Sequence, residues 1–218
     1  MPRRIAQLII GLALYGFGCA LTVAAGLGVD PWTVFAEGLA RVTGIGVGWI
    51  TNLVGLTVLL LWIPLRQRPG VGTLANILLV GTTMQIALDV LPHPDALWLQ
   101  VAMLLAGVVT VAVASGIYIG AHFGPGPRDG LMTGLNRRFG WPIWACRLSV
   151  EGSVLVLGWL LGGTVGIGTV VFALGIGPLV HVALPLLAAP DPRRRPRRAD
   201  RAPLPLSAPG TPVDRFPA

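Results

Sequence analysis

The sequence predicts an all-α membrane protein with six transmembrane helices arranged as two three-helix inverted repeats, both termini being cytoplasmic. Three observations carry this prediction. Apolar residues make up 54% of the 218 positions and charged residues 11%, whereas a soluble domain carries about 25% charge. The mean hydropathy is +0.75. Basic residues gather between apolar runs and in the C-terminal stretch, as a topology signal requires. Finally, the chain aligns with itself without gaps at a shift of 96 residues.

A span needs about 20 predominantly apolar residues. Six runs qualify, at 5–27, 47–65, 71–91, 97–121, 143–161 and 167–187. The first follows Arg3 and Arg4 and could imitate a signal peptide. Its apolar run continues without a small-x-small cleavage pattern, so it is expected to be retained. Lysine is absent, so all basic residues are arginines. With the N-terminus inside, Arg66, Arg68, Arg128, Arg137 and Arg138 fall in connections on that same side. The other side receives Arg41 together with Asp30, Glu37 and Asp95. Residues 1–95 thus form a first three-helix unit and 96–189 a second. Residues 190–218 are a Pro/Arg-rich tail with too little apolar surface to fold, expected to be disordered in the cytoplasm. Its arginines suit anionic lipid head groups.

The net charge of +7 does not indicate a nucleic-acid partner, because no basic helix or aromatic platform lies inside the apolar part. Cys19 and Cys146 fall in or beside apolar runs without metal-ligand spacing and are expected as packing residues. No metal or cofactor is expected.

At the shift of 96, Gly28 falls on Gly124, Pro31 on Pro127, Arg41 on Arg137 and Gly44 on Gly140. Gly70-Val71-Gly72-Thr73 falls on Gly166-Ile167-Gly168-Thr169. A fixed period marks a duplicated unit. Because each unit has an odd number of spans, the second enters the bilayer from the opposite side, an arrangement many secondary transporters share. An old duplication kept for packing gives the same pattern.

In each half a glycine-rich turn and a short helix follow the first span. Residues 31–42 are capped by Asp30 with Pro31 in first position, and Glu37 and Arg41 are spaced as an i,i+4 pair. Residues 130–139 are expected to be capped by Asp129. Both segments are too short to span and would lie in the interface or re-enter the bilayer. Arg128 and Asp129 could pair across the turn, or Arg128 could meet an anionic substrate. The turn at Gly124-Pro125-Gly126-Pro127 lacks the G-x-x-x-x-G-K-[ST] pattern, so no nucleotide site is inferred.

Polar residues inside spans are functional candidates by default. Arg147 and Glu151 share a face of the fifth span, as a local salt bridge or a relay. Asn76, Gln85 and Asp89 recur in the third. Gln85 corresponds to His181 of the sixth span, and the two could line a central site or form interhelical hydrogen bonds. Asn52 and His122 are weaker candidates. The paired G-x-G-T segments permit close packing or an anion site. Catalytic signatures such as H-E-x-x-H or a Ser/His/Asp order do not occur, so enzymatic function is not expected.

The Gly124–Met132 stretch G-P-G-P-R-D-G-L-M resembles the YczE-like branch of the YczE/YyaS/YitT integral membrane proteins. The Gly26–Trp32 segment and the two G-x-G-T segments fit the same likeness. The resemblance covers residues 5–188 and implies a small multi-pass inner-membrane protein of transporter type, some relatives supporting biosynthetic pathways at the membrane. It supplies no catalytic residues and no agreed substrate. Two functions follow as expectations. One is a permease for a small molecule, with Arg128, Asp129, Arg147, Glu151, Gln85, His181, Asn76 and Asp30 as substrate or gating residues. The other is a non-transporting accessory or scaffold protein in the membrane. A homodimer is compatible with either.

Overall fold

A computed structural model describes residues 2–187. The predicted tail, 190–218, lies outside the described residues, as does the end of the second unit. Eight helices make up the described chain: α1 (Pro2–Ala25), α2 (Pro31–Thr43), α3 (Val47–Leu61), α4 (Val71–Leu88), α5 (Leu97–Ile119), α6 (Pro127–Phe139), α7 (Ile143–Leu160) and α8 (Ile167–Leu187). There is no strand among the described residues.

Five of these helices, α1, α4, α5, α7 and α8, are long and apolar enough to cross a membrane. A sixth crossing requires α2 and α3 to count as one broken span, bent by 113°. The predicted second span at 47–65 is helical only over Val47–Leu61. Helix α3 has 15 residues, roughly 22 Å of axial rise, which is short of the 30 Å hydrocarbon core. Pro64 explains its end, because it supplies no N–H and disfavours helix at the preceding residue. The bend follows Gly44, whose φ of 74° closes α2 with a hydrogen bond to Ala40 O. Helix α6 ends the same way at Gly140.

Helices α2, α3 and α4 begin at 31, 47 and 71, and α6, α7 and α8 at 127, 143 and 167. The displacement is 96 residues in every case. Helices α1 and α5 pack along each other at the centre, with α4 beside α1 and α8 beside α5. Their closest approach uses glycine. A Cβ on Gly18 would lie 3.1 Å from Gly107 O, and one on Gly107 would lie 2.8 Å from Gly18 O. Small residues at such crossings let backbones approach without a hydrophobic driving force between helices.

The two G-x-G-T segments have a definite structural use. Gly72 N–H donates to Phe123 O at 3.1 Å, and Gly168 N–H donates to Leu27 O at 2.8 Å. Each half's glycine turn is thereby fastened to the last helix of the other half. Thr73 and Thr169 accept from Gly70 N–H and Gly166 N–H at 3.2 and 3.3 Å. Thr73 also donates to Pro125 O at 2.8 Å. These contacts satisfy free backbone groups at helix starts and turns that water cannot reach in a bilayer.

A size exchange breaks the likeness of the halves. Gly158 of α7 packs on α2, where its Cβ would lie 2.5 Å from Phe35 N. At the matching position α3 is followed by Trp62, whose indole presses on Gly130 of α6. Its Nε1–H donates to Pro127 O at 3.0 Å. A further difference concerns the last pair of helices. While α3 packs along α4, α7 and α8 make at most marginal contact among the described residues.

Candidate functional site

All eight helices line one cavity of about 330 Å³. Short apolar stretches of α3, α4 and α8 form much of its wall, including Val58, Val80 and Phe172. Its polar lining comes from both halves: Tyr15, Asp30, Thr51 and Asn76 from the first, Ser115, Tyr118, Arg128, Asp129, Arg147 and Glu151 from the second. On the α8 side, Ala173 and Gly177 line the cavity yet are exposed. The Arg147 side chain, also a lining group, is 59% exposed. The cavity therefore opens between α7 and α8.

Asp30 is fixed first by its own helix. It caps α2 by accepting from Trp32 N–H at 3.2 Å and Thr33 N–H at 3.3 Å. The Thr33 hydroxyl donates to its second oxygen. The Asp30 side chain is 5% exposed, and a buried charge requires such donors. Its cationic partner comes from the other half: Arg128 Nη1 lies 3.3 Å from Asp30 Oδ1. The same guanidinium sits over the Trp32 ring, 5.0 Å from its centroid, in a cation–π arrangement. The expected pairing of Arg128 with Asp129 across the turn is thus corrected. Helix α6 starts at Pro127, which puts both residues in its first turn, where consecutive side chains diverge.

The expected cap of this helix is corrected for the same reason. Gly126 stands at the N-cap position and Asp129 lies in the first turn. There its charge favours the helix dipole, but its side chain is accessible from the cavity. Asp129 makes no hydrogen bond or ion pair among the described residues.

Arg147 Nε and Glu151 Oε1 are 3.0 Å apart on α7. Both side chains are partly exposed, so the pair contributes little on its own, about 0.5 kcal/mol. Replacing Glu151 by Gln should shift the thermal unfolding midpoint by less than any change at Asp30 or Arg128. A scan of the detergent-solubilised protein checks this.

Six of the eight residues singled out in the sequence, Asp30, Asn76, Arg128, Asp129, Arg147 and Glu151, line this cavity. Gln85 and His181 do not. Gln85 accepts from Gly48 N–H at 3.1 Å and donates to Asp89 at 2.8 Å, tying α4 to the start of α3. His181 is exposed on α8. Asn52 donates to Thr82 at 3.1 Å. Glu37 and Arg41 form no ion pair among the described residues. Glu37 instead accepts from Thr164 N–H at 2.7 Å and Arg41 donates to the Thr164 hydroxyl at 3.3 Å, so both fasten α2 to the turn before α8.

Sequence reasoning passed over Tyr15 and Tyr118. Their rings meet edge to face at 5.9 Å, and neither hydroxyl has a partner among the described residues. A signal was present. The chain has two tyrosines, and both fall inside spans rather than in the interfacial belts where tyrosine concentrates.

Apolar helices arranged round a cavity with charged walls define a multi-pass membrane protein. The chain belongs to the family of unknown function DUF6198, whose model matches residues 2–185. It is 41% identical to an uncharacterized protein of Haemophilus influenzae over 85% of this chain and 85% of that protein. It is 31% identical to the uncharacterized membrane protein YczE of Bacillus subtilis, over 80% of this chain and 82% of the relative. With the uncharacterized protein YyaS of Bacillus subtilis the identity is 27%, over 82% and 90%. No solved structure matches the chain. The YczE-like kinship expected from the Gly124–Met132 motif is thereby shown.

Proposed function

We propose that the protein is a permease of the cytoplasmic membrane that moves a small molecule through the cavity. One observation carries the reading: charged and polar side chains from both halves meet in a single cavity, where Asp30 of the first half pairs with Arg128 of the second. Charges within a membrane protein are costly and mark substrate or ion paths. Sites formed between two halves, beside short helices that do not span, are the pattern of secondary transporters.

The constant displacement of helix starts and the reciprocal fastening of the glycine turns support two inverted three-span units. Arginine placement supports cytoplasmic termini. Rocking of one unit against the other would expose the cavity to each side in turn. We assign the protein no enzymatic step.

The test is flux of radiolabelled small molecules into proteoliposomes, with an Arg128→Gln protein as control. Saturable uptake of one solute, reduced in the control, is the expected result. Absence of flux across amines, organic acids, sugars and amino acids would favour an accessory protein instead. For topology, cysteines placed at Arg68 and His93 should label from opposite sides of the membrane.

A further inference from the structure

We infer that the cavity binds a small organic monocation, with Asp129 as its counter-ion. This rests on the permease cavity as the binding site and deepens that reading by naming the ligand class. The charges facing the cavity are three carboxylates, Asp30, Asp129 and Glu151, against two guanidinium groups, Arg128 and Arg147. Both guanidinium groups are already engaged, Arg128 with Asp30 and Arg147 with Glu151. Both also lie within electrostatic reach of Asp129, yet neither makes an ion pair with it. One negative charge is left over, on an exposed residue at the cavity wall.

Three of the unpartnered groups lie in the same part of the wall. Around the turn before α6, the Asp129 carboxylate, the Asn76 amide and the Tyr118 hydroxyl all approach Gly126. A Cβ built there would lie 3.5, 3.7 and 3.7 Å from them. Tyr118 is only 8% exposed, and its hydroxyl, like the Asn76 amide, has no hydrogen-bond partner among the described residues. A polar group at a cavity wall without a protein partner is open to a ligand or to water. The tyrosine oxygen can accept from an ammonium N–H, while the Asn76 atom nearest Gly126 is the donor Nδ2.

Size and wall chemistry select an organic ion over a bare metal ion. A volume of about 330 Å³ belongs to the range of small-molecule sites, and apolar side chains such as Val58, Val80 and Phe172 form much of the wall. Aromatic faces suit organic cations, and the cavity already holds one such contact, the Arg128 guanidinium over Trp32. An anion would have to share Arg128 with Asp30 or Arg147 with Glu151 while facing Asp129.

Binding to the full-length protein in nanodiscs tests the inference, with thermal stabilisation and calorimetry as readouts. The cationic probes are choline, ethylammonium and guanidinium. The neutral isostere of choline is 3,3-dimethylbutan-1-ol, and acetate and sulfate are the anions. At least one cation should bind saturably while the neutral isostere does not. Asp129→Asn should weaken that binding roughly tenfold, and Asp129→Glu should restore most of it. Asp129→Asn should lower the unliganded unfolding midpoint only slightly, because the carboxylate loses its interaction with the α6 dipole but has no ion-pair partner to lose. Saturable binding of an anion, binding of the neutral isostere equal to that of choline, failure of all three cations, or an unaffected Asp129→Asn protein would each overturn the inference. Cation binding without any flux would sink the permease reading and leave this one standing. Flux of an anion without cation binding would do the reverse.

Discussion

Gly168→Val should prevent most of the protein from reaching its folded state, with a loss of about 2–4 kcal/mol from overpacking and the broken hydrogen bond together. The reason is the neighbour it would meet. A Cβ at Gly168 would overlap the Gly28 carbonyl oxygen, and a backbone oxygen cannot swing aside as a side chain can. Gly28 itself is held at a φ of 105°, a conformation that few residues other than glycine adopt. The hydrogen bond from Gly168 N–H to Leu27 O, at 2.8 Å, would be stretched in the same event. Gly72 holds the matching place in the other half but has more room, with Phe123 O at 3.0 Å from its added Cβ. Gly72→Val should therefore be milder. Gly152→Ala is the control, since nothing lies within 4 Å of a Cβ there, and alanine favours a helix interior by about 1 kcal/mol. The monodisperse yield and the unfolding midpoint should rank Gly152→Ala first, Gly72→Val next and Gly168→Val last. Equal behaviour of Gly168→Val and Gly152→Ala would contradict the packing described.

Arg128→Gln should be the most damaging change among the charged lining residues. It leaves the Asp30 side chain, 5% exposed, without its cation. Removing one partner of a fully buried pair costs about 3–5 kcal/mol. Here the figure is smaller, about 1–3 kcal/mol, because the Arg128 side chain is 26% exposed and Asp30 keeps three donors of its own. Asp30→Asn retains an amide oxygen for the cap but leaves Arg128 unmatched, so it should also destabilise. The double variant Asp30→Asn/Arg128→Gln has no unmatched charge at this pair. It should be more stable than the sum of the single changes by about 1–2 kcal/mol. Unfolding midpoints of the four proteins complete the cycle, and strict additivity would show that the two residues do not interact.

The long apolar helices, the glycine turns and the Asp30 cap of α2 were legible because each is written in local sequence: run length, turn residues, a capping residue before a proline. Partnerships were much less legible. Adjacent residues or those four apart suggested Arg128 with Asp129 and Glu37 with Arg41. The structure couples Arg128 to Asp30, 98 positions away, and Glu37 to Thr164, 127 away. Local spacing predicts partners when water competes equally everywhere. In a buried setting a charge takes the partner that the tertiary packing presents. Of the two readings of Gln85 and His181, the structure shows an interhelical hydrogen bond for Gln85 and places neither in the cavity; equivalent positions need not face equivalent surroundings, since α4 has α3 beside it and α8 has no such neighbour. Trp62 and Gly158 show the same point with size in place of polarity.

The crossed hydrogen bonds between the turns and the last helix of the opposite half also govern how the chain is finished during synthesis. Gly72 finds its acceptor only once Phe123 has been made, and Leu27 waits for Gly168. The first three apolar stretches can enter the bilayer early, but neither half closes by itself. Severing the chain between residues 92 and 96 should yield two fragments that are each incomplete alone and that recover the native arrangement when made together. Maturation of the first half is thus set by the arrival of the second, and a ribosome that stalls before residue 168 leaves both halves unfinished.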